Sequence, residues 1–200
     1  MPSKIKILKI AQECGLNVPN TKILSNKTLL HDFFKSNNNE ILTKSLGEGK
    51  HIEYNNENYP FFTFKIENLN SISKNFSPTL FQKYTDKIIE IRTFYLNGEC
   101  YSMAIFSQND KKTKVDFRNY DLENPTRYVP YKLPKDIEEK INNMMIKLNL
   151  NTGSLDIIYS PDRKYYFLEV NPAGQFGMTS DPCNYSLHRK VAKYLNENSN

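Results

Sequence analysis

The stretch Ser154-Leu-Asp-Ile-Ile-Tyr-Ser-Pro-Asp-Arg-Lys-Tyr-Tyr-Phe-Leu-Glu-Val-Asn171 decides how this chain is read. Two runs rich in β-branched and aromatic residues flank Pro161-Asp162-Arg163-Lys164, whose proline and aspartate favour a turn. A loop of those four residues sets Tyr159 opposite Tyr166 and Ser160 opposite Tyr165, and the same register sets Asp156 opposite Glu169. Side chains alternate along a strand, so Asn171 shares a face with Glu169. Directly opposed residues on paired strands have Cβ atoms about 4.5–5.5 Å apart. Two carboxylates at that separation repel by about 3 kcal/mol at an effective dielectric near 20, and a cation between them removes the cost. Asp, Glu and Asn offer oxygen ligands alone, a set that suits magnesium far better than zinc. Asp156, Glu169 and Asn171 therefore form a candidate Mg2+ site, with phosphates completing the shell; a solvated acidic edge is the plainer alternative. Pro172-Ala-Gly-Gln-Phe-Gly177 follows, a loop whose glycines let backbone approach a ligand closely.

Two hundred residues fit one domain or two small lobes. A chain of this size buries roughly 70% of its unfolded surface without needing covalent staples. With 38% hydrophobic and 12% aromatic residues it has material for a core. The net charge of +5, from 27 Lys and Arg against 22 Asp and Glu, is mildly basic. Lys and Arg nowhere cluster with interleaved aromatics, so nucleic acid is not an expected partner. Cys14, Cys100 and Cys183 are far apart and odd in number, and no Cys-x-x-Cys occurs, which argues against zinc and disulfides. Lysines interrupt the apolar residues of the first ten positions, and no run approaches the length of a membrane span. A cytoplasmic protein without a membrane partner is expected, and a homo-oligomer is left open.

Along the chain, Ser3 caps a helix to about Cys14, with Gly15 as its stop. An extended segment starts at Pro19, a second helix covers residues 27–35, and Ile41-Leu-Thr-Lys44 reads as a strand entering a loop with Gly47-x-Gly49. Residues 61–66 alternate as a strand, and residues 67–79 read as irregular, ending a small lobe. The larger lobe begins at Leu80-Phe-Gln-Lys-Tyr84. Residues 90–106 form a hairpin about Asn97-Gly98, the strongest two-residue turn signal. Pro134 opens a helix to about Leu148, and a last helix spans about residues 185–195. Lysine and arginine offset phosphate charge, arginine through a bidentate fork. Lys44, Arg92 and Arg118 are thus phosphate candidates, although Arg92 fits a cross-strand ion pair equally well. Neither a P-loop nor a kinase catalytic loop is present, and no Ser/His/Asp or Cys/His arrangement supports a covalent nucleophile.

Asp156-Ile157 with Leu168-Glu-Val-Asn-Pro172 resembles the metal-binding strands of the ATP-grasp carboxylate ligases, and Lys44-Ser-Leu-Gly-Glu-Gly49 their phosphate-binding lysine and glycine-rich loop. In that family proline usually follows this lysine, where this chain has Ser45. Lys4 resembles the earlier nucleotide-binding lysine. Phe81-Gln-Lys-Tyr84 resembles the hinge whose backbone reads adenine, which implicates Gln82, Lys83 and Tyr84. Glu90-Ile-Arg92 resembles the acidic-x-Arg that opens the third domain. Phe94-Tyr-Leu-Asn-Gly98, Met103-Ala-Ile-Phe-Ser-Gln108, Val115-Asp-Phe-Arg118, Tyr128-Val-Pro-Tyr131 and Glu169-Val-Asn-Pro-Ala-Gly-Gln-Phe176 resemble the grasp-with-spasm peptide maturases, relatives of the microviridin-type ligases that make graspetides. Members carry an N-terminal domain ahead of the first lysine-bearing helix, and here that helix begins at Ser3.

The resemblance implies an α+β ATP-grasp fold of central and C-terminal lobes, antiparallel sheets with flanking helices, divided at 1–79 and 80–200, with ATP between the lobes. It implies ATP and Mg2+ as cofactors and a precursor peptide as partner. Side-chain carboxylates of that peptide become acyl phosphates, and intramolecular ester or amide links follow. Arg92 and Arg118 are the expected catalytic residues. Lys4, Lys44, Gln82, Lys83, Tyr84 and Glu90 are expected to bind the cofactor, and Asp156, Glu169 and Asn171 the metal. The alternatives are a ligase adding an amino acid to a peptide or protein terminus, and an inactive, truncated peptide-binding module.

Overall fold

The computed structural model describes residues 3–46, 51–54, 57–60, 63–106 and 127–198, with side chains omitted for 51–54 and 58–60. Arg118 and the Gly47-x-Gly49 loop lie outside them. The described chain falls into two compact units. The smaller takes its described residues from Pro19–Thr85, and the larger from Met1–Val18, Asp86–Asp110 and Tyr120–Asn200. The first helix thus belongs with the C-terminal part of the chain. The expected division at residue 79 falls inside a strand, Asn75–Lys83.

In the larger unit, five antiparallel strands carry helices on both faces. The strands are β7 (Ile89–Leu96), β8 (Glu99–Phe106), β9 (Arg127–Tyr131), β10 (Thr152–Tyr159) and β11 (Tyr165–Asn171), in the order β11-β10-β7-β8-β9. The β7–β8 turn puts Asn97 at φ 43° and Gly98 at φ 97°, the mirror-image turn that its Asn-Gly pair favours. On one face lie α1 (Lys4–Glu13) and α3 (Lys135–Lys147). Ile7, Leu8 and Ala11 of α1 and Ile137, Ile141, Met144 and Met145 of α3 recur at helical spacing, and they close over Ile91, Leu155, Ile157 and Phe167. Ser3 caps α1 as expected, its side chain accepting from the Lys6 amide. The other face of the sheet carries Phe94 and Leu96, packed with Leu187 of α5 (Leu187–Glu197) and flanked by Phe176 and Tyr185. A short helix, α4 (Gly177–Cys183), precedes α5. The apolar end of this face is thereby covered, and farther along β7 the same face changes to charge.

In the smaller unit, β1 (Thr21–Asn26), β6 (Asn75–Lys83), β2 (Ile41–Lys44) and β5 (Phe64–Ile66) form a sheet in the order β1-β6-β2-β5. The backbone of β3 (His51–Tyr54) pairs with that of β4 (Glu57–Pro60). Leu30 and Phe33 of α2 (Lys27–Ser36) pack on Ile41 and Phe81. Residues 75–79, expected to be irregular, are in strand because β1 supplies their hydrogen-bond partners; pairing of distant segments overrides a local composition rich in Asn and Ser.

Candidate active site

The hairpin of β10 and β11 differs from the sequence reading at its tip and agrees at its working end. Tyr159 pairs with Tyr165, one residue off the expected register. The Ser160 amide donates to the Lys164 carbonyl and the Arg163 amide to the Ser160 carbonyl, with Arg163 in the left-handed region at φ 60°. This three-residue turn takes up one residue fewer than the expected loop of four. The pairing then shifts between Asp156 and Ile157: Ile157 faces Phe167 and Asp156 faces Glu169, so Leu168 is the extra residue of a β-bulge. The bulge cancels the offset made at the turn. Asp156 and Glu169 are directly opposed, and Ser154 opposes Asn171.

β7 extends this face. Arg92 pairs with Asp156 across the strands, and its Nη1 donates to Asp156 Oδ1 at 2.6 Å. Lys4 Nζ, from the first turn of α1, lies 3.7 Å from Glu169 Oε2. The chain itself therefore supplies cations to both crowded acids. Arg92 makes the cross-strand ion pair that was one of its two sequence readings. A second buried pair joins Lys87 to Glu90, with side-chain exposures of 3% and 11%. Arg92 Nε and Ser154 Oγ are buried and have no hydrogen-bond partner among the described residues. Asn171 Oδ1 accepts from the Ala173 amide at 3.0 Å, a local turn that fixes the side chain at the strand end.

The donor set suits a hard divalent cation. Two opposed carboxylates and an amide on one face are all oxygen ligands, and the amide oxygen keeps a second lone pair. No group of three or more His, Cys, Asp or Glu with metal-binding spacing occurs among the described residues.

The remaining expected ligands lie in the smaller unit. Lys44 is half-buried at the end of β2 and pairs with Leu80, while Leu42 pairs with Gln82. By alternation Lys44 and Gln82 share one face, and Lys83 projects from the other with Phe81. Gln82 is 2% exposed and donates to Thr21 Oγ1 at 2.8 Å. The Lys83 amide donates to the Asn20 carbonyl and the Tyr84 amide to the Glu40 carbonyl. Both N–H groups are thus engaged within the smaller unit. The Tyr84 ring lies 4.4 Å from Lys65 Nζ.

Two residues escaped the sequence reading. Lys87 carried one signal, its three-residue spacing from Glu90 ahead of a wholly buried strand. Ser154 gave no signal beyond its place two residues before Asp156.

Two mixed lobes, a charged sheet face and a carboxylate-bearing hairpin define an α+β protein of the ATP-grasp fold. Among solved structures, a RiPP-associated ATP-grasp ligase from Chryseobacterium gregarium, in complex with ADP and a leader and core peptide, is 28% identical. The match covers 86% of this chain and 52% of that one, with a TM-score of 0.78. The macrocyclase MdnC of Microcystis aeruginosa MRC, bound with the precursor peptide MdnA, is 27% identical over 97% of this chain and 59% of its own, with a TM-score of 0.79. The macrocyclase MdnB of the same organism is 25% identical over 96% and 58%, with a TM-score of 0.70. The resemblance read from the motifs is thus matched in three dimensions. This chain spans a little over half the length of these ligases. No family model matches the chain, and no curated protein does. None of the described helices is long and apolar enough to cross a membrane.

Proposed function

We propose that this chain carries out ATP-dependent activation of side-chain carboxylates in a ribosomally made precursor peptide and closes intramolecular ester or amide links, releasing ADP and phosphate. The opposition of Asp156 and Glu169, with Asn171 two residues on, carries the reading. These three residues would hold Mg2+, which supplies neutralisation of phosphate charge. Lys4 and Lys44, with Arg92 and Arg118, are the cations proposed for the phosphates, and Gln82, Lys83 and Tyr84 the segment proposed for the base. Glu90 is assigned to Lys87 instead of the nucleotide.

The reaction has two displacements. A peptide carboxylate attacks the γ-phosphorus, the bond to the bridging oxygen breaks, and ADP departs, leaving an acyl phosphate. A hydroxyl or amine of the same peptide then attacks the acyl carbon, loses its proton and expels inorganic phosphate. The protein's share is positioning and fixed charge, since no covalent nucleophile is needed. Arg92 suits the second step because its fork is anchored at Nη1 while Nε has no hydrogen-bond partner among the described residues.

Replacing Glu169 with Gln keeps the shape and removes one ligand charge. Peptide-dependent ADP release is expected to fall at least about 100-fold. Near-normal turnover would defeat the assignment. Mass spectrometry of the peptide product separates the rival activity: each link closed within the peptide loses one water, whereas joining an amino acid to a terminus adds a residue mass.

A further inference from the structure

The charged face holds one pair that the proposed reaction leaves unused. Lys87 and Glu90 are ion-paired and buried just ahead of Arg92. Glu90 and Arg92 stand two residues apart on β7, on the same face and about 7 Å apart along the strand. Side chains of their length meet readily across that distance. A buried guanidinium N–H attracts a carboxylate strongly, yet Arg92 Nε has no hydrogen-bond partner among the described residues. The Glu90 carboxylate is drawn instead to Lys87.

We infer that Lys87 is a positioning residue: by engaging Glu90 it keeps the Arg92 Nε–H open for an oxygen of a transferring phosphoryl group. The inference rests on the reading of Arg92 given above and deepens it. A second group points the same way. Ser154 is the diagonal neighbour of Arg92 on the adjacent strand, and its buried Oγ also has no partner. Buried polar groups are nearly always paired in folded proteins, so two orphans side by side mark a place that a ligand completes. Lysine suits this task because its compact charge is met by one carboxylate. An arginine at position 87 would also fork toward neighbouring oxygens.

The test compares the full chain with Lys87→Met and with Lys87→Met/Glu90→Gln. The probes are Mg2+–AMPPNP, which carries a γ-phosphoryl mimic, and Mg2+–ADP, which does not, both titrated by calorimetry. Lys87→Met removes the cation that draws the Glu90 carboxylate away from Arg92 Nε. Affinity for AMPPNP is expected to fall about tenfold or more, the worth of a charged hydrogen bond, while affinity for ADP stays within about threefold. The double variant, whose amide competes weakly, is expected to regain AMPPNP affinity. The inference is overturned if Lys87→Met binds AMPPNP as tightly as the parent, or if the double variant is as weak as the single. Should Lys87→Met fail to fold, the double variant decides alone: an AMPPNP-to-ADP affinity ratio equal to the parent's supports the inference, and a reduced ratio overturns it. Should the parent bind neither nucleotide, the functional reading fails by itself. The Arg92 Nε–H resonance in 15N-arginine-labelled protein then decides: displaced in Lys87→Met and restored in the double variant, it supports the role of Lys87, and unmoved it refutes it.

Discussion

Arg92 is anchored at Nη1, while its Nε has no hydrogen-bond partner among the described residues. Its Nη1 is committed to Asp156, an arrangement that orients the fork without neutralising every donor. Cys100, on β8, illustrates the opposite use of burial. Desolvation pushes its thiol up to about 12; the nearby Glu138 carboxylate adds to this and Lys132 opposes it. The folded value lies above the unfolded one, so the protonated thiol contributes its full stability below about pH 9. Between about pH 9 and about pH 12 the unfolded chain loses the proton and the folded chain keeps it, so that contribution drains away. Urea midpoints measured from pH 8 to pH 10.5 should fall more steeply for the parent than for Cys100→Ala; parallel slopes would contradict the assignment. At neutral pH the folded protein should resist alkylation at this thiol.

The β10–β11 hairpin shows how an element can place its working residues correctly by a different route. A turn shorter than expected and a bulge at Leu168 offset one another, so that Asp156 and Glu169 meet. Bulges increase local twist and re-aim side chains, which is why they recur beside active sites. The hairpin also needs Gly153. A Cβ there would lie 2.9 Å from Val170 Cγ2, 3.2 Å from Met145 Cε and 3.4 Å from the Asn171 carbonyl oxygen. Gly153→Ala therefore presses on the strand that carries Glu169 and Asn171. It should destabilise the protein by about 1–3 kcal/mol, read from chemical unfolding. Mg2+ affinity should fall with it; a variant as stable as the parent would show that α3 and β11 yield more easily than the packing implies.

Of the residues proposed above for the nucleotide, Lys44 and Gln82 belong to the smaller unit, and Lys4, Arg92 and the carboxylates to the larger. A ligand that binds only the folded chain stabilises it by mass action, about 2.7 kcal/mol at a hundred times its Kd. For a chain of 200 residues that is a rise in melting temperature of about 5–10 °C. Thermal unfolding with Mg2+–ADP should show such a rise. Chelating the metal should reduce it, and Glu169→Gln should largely remove it. An unchanged melting temperature at saturating nucleotide would count against nucleotide binding.

The sequence by itself determined the main helices, the β7–β8 hairpin and the opposed acids, because helical periodicity, strand alternation and an Asn-Gly turn are local signals written over a few residues. It also supplied the motif strings by which the ATP-grasp fold was read. Three-dimensional pairing alone decided that residues 75–79 are strand, that α1 packs with the C-terminal part of the chain, and that a bulge corrects the hairpin register. It alone decided that Lys87 is buried against Glu90 and that Arg92 Nε and Ser154 Oγ have no hydrogen-bond partner among the described residues. These depend on which segments meet after the chain collapses, and on the desolvation that follows, a long-range consequence that no window of sequence contains.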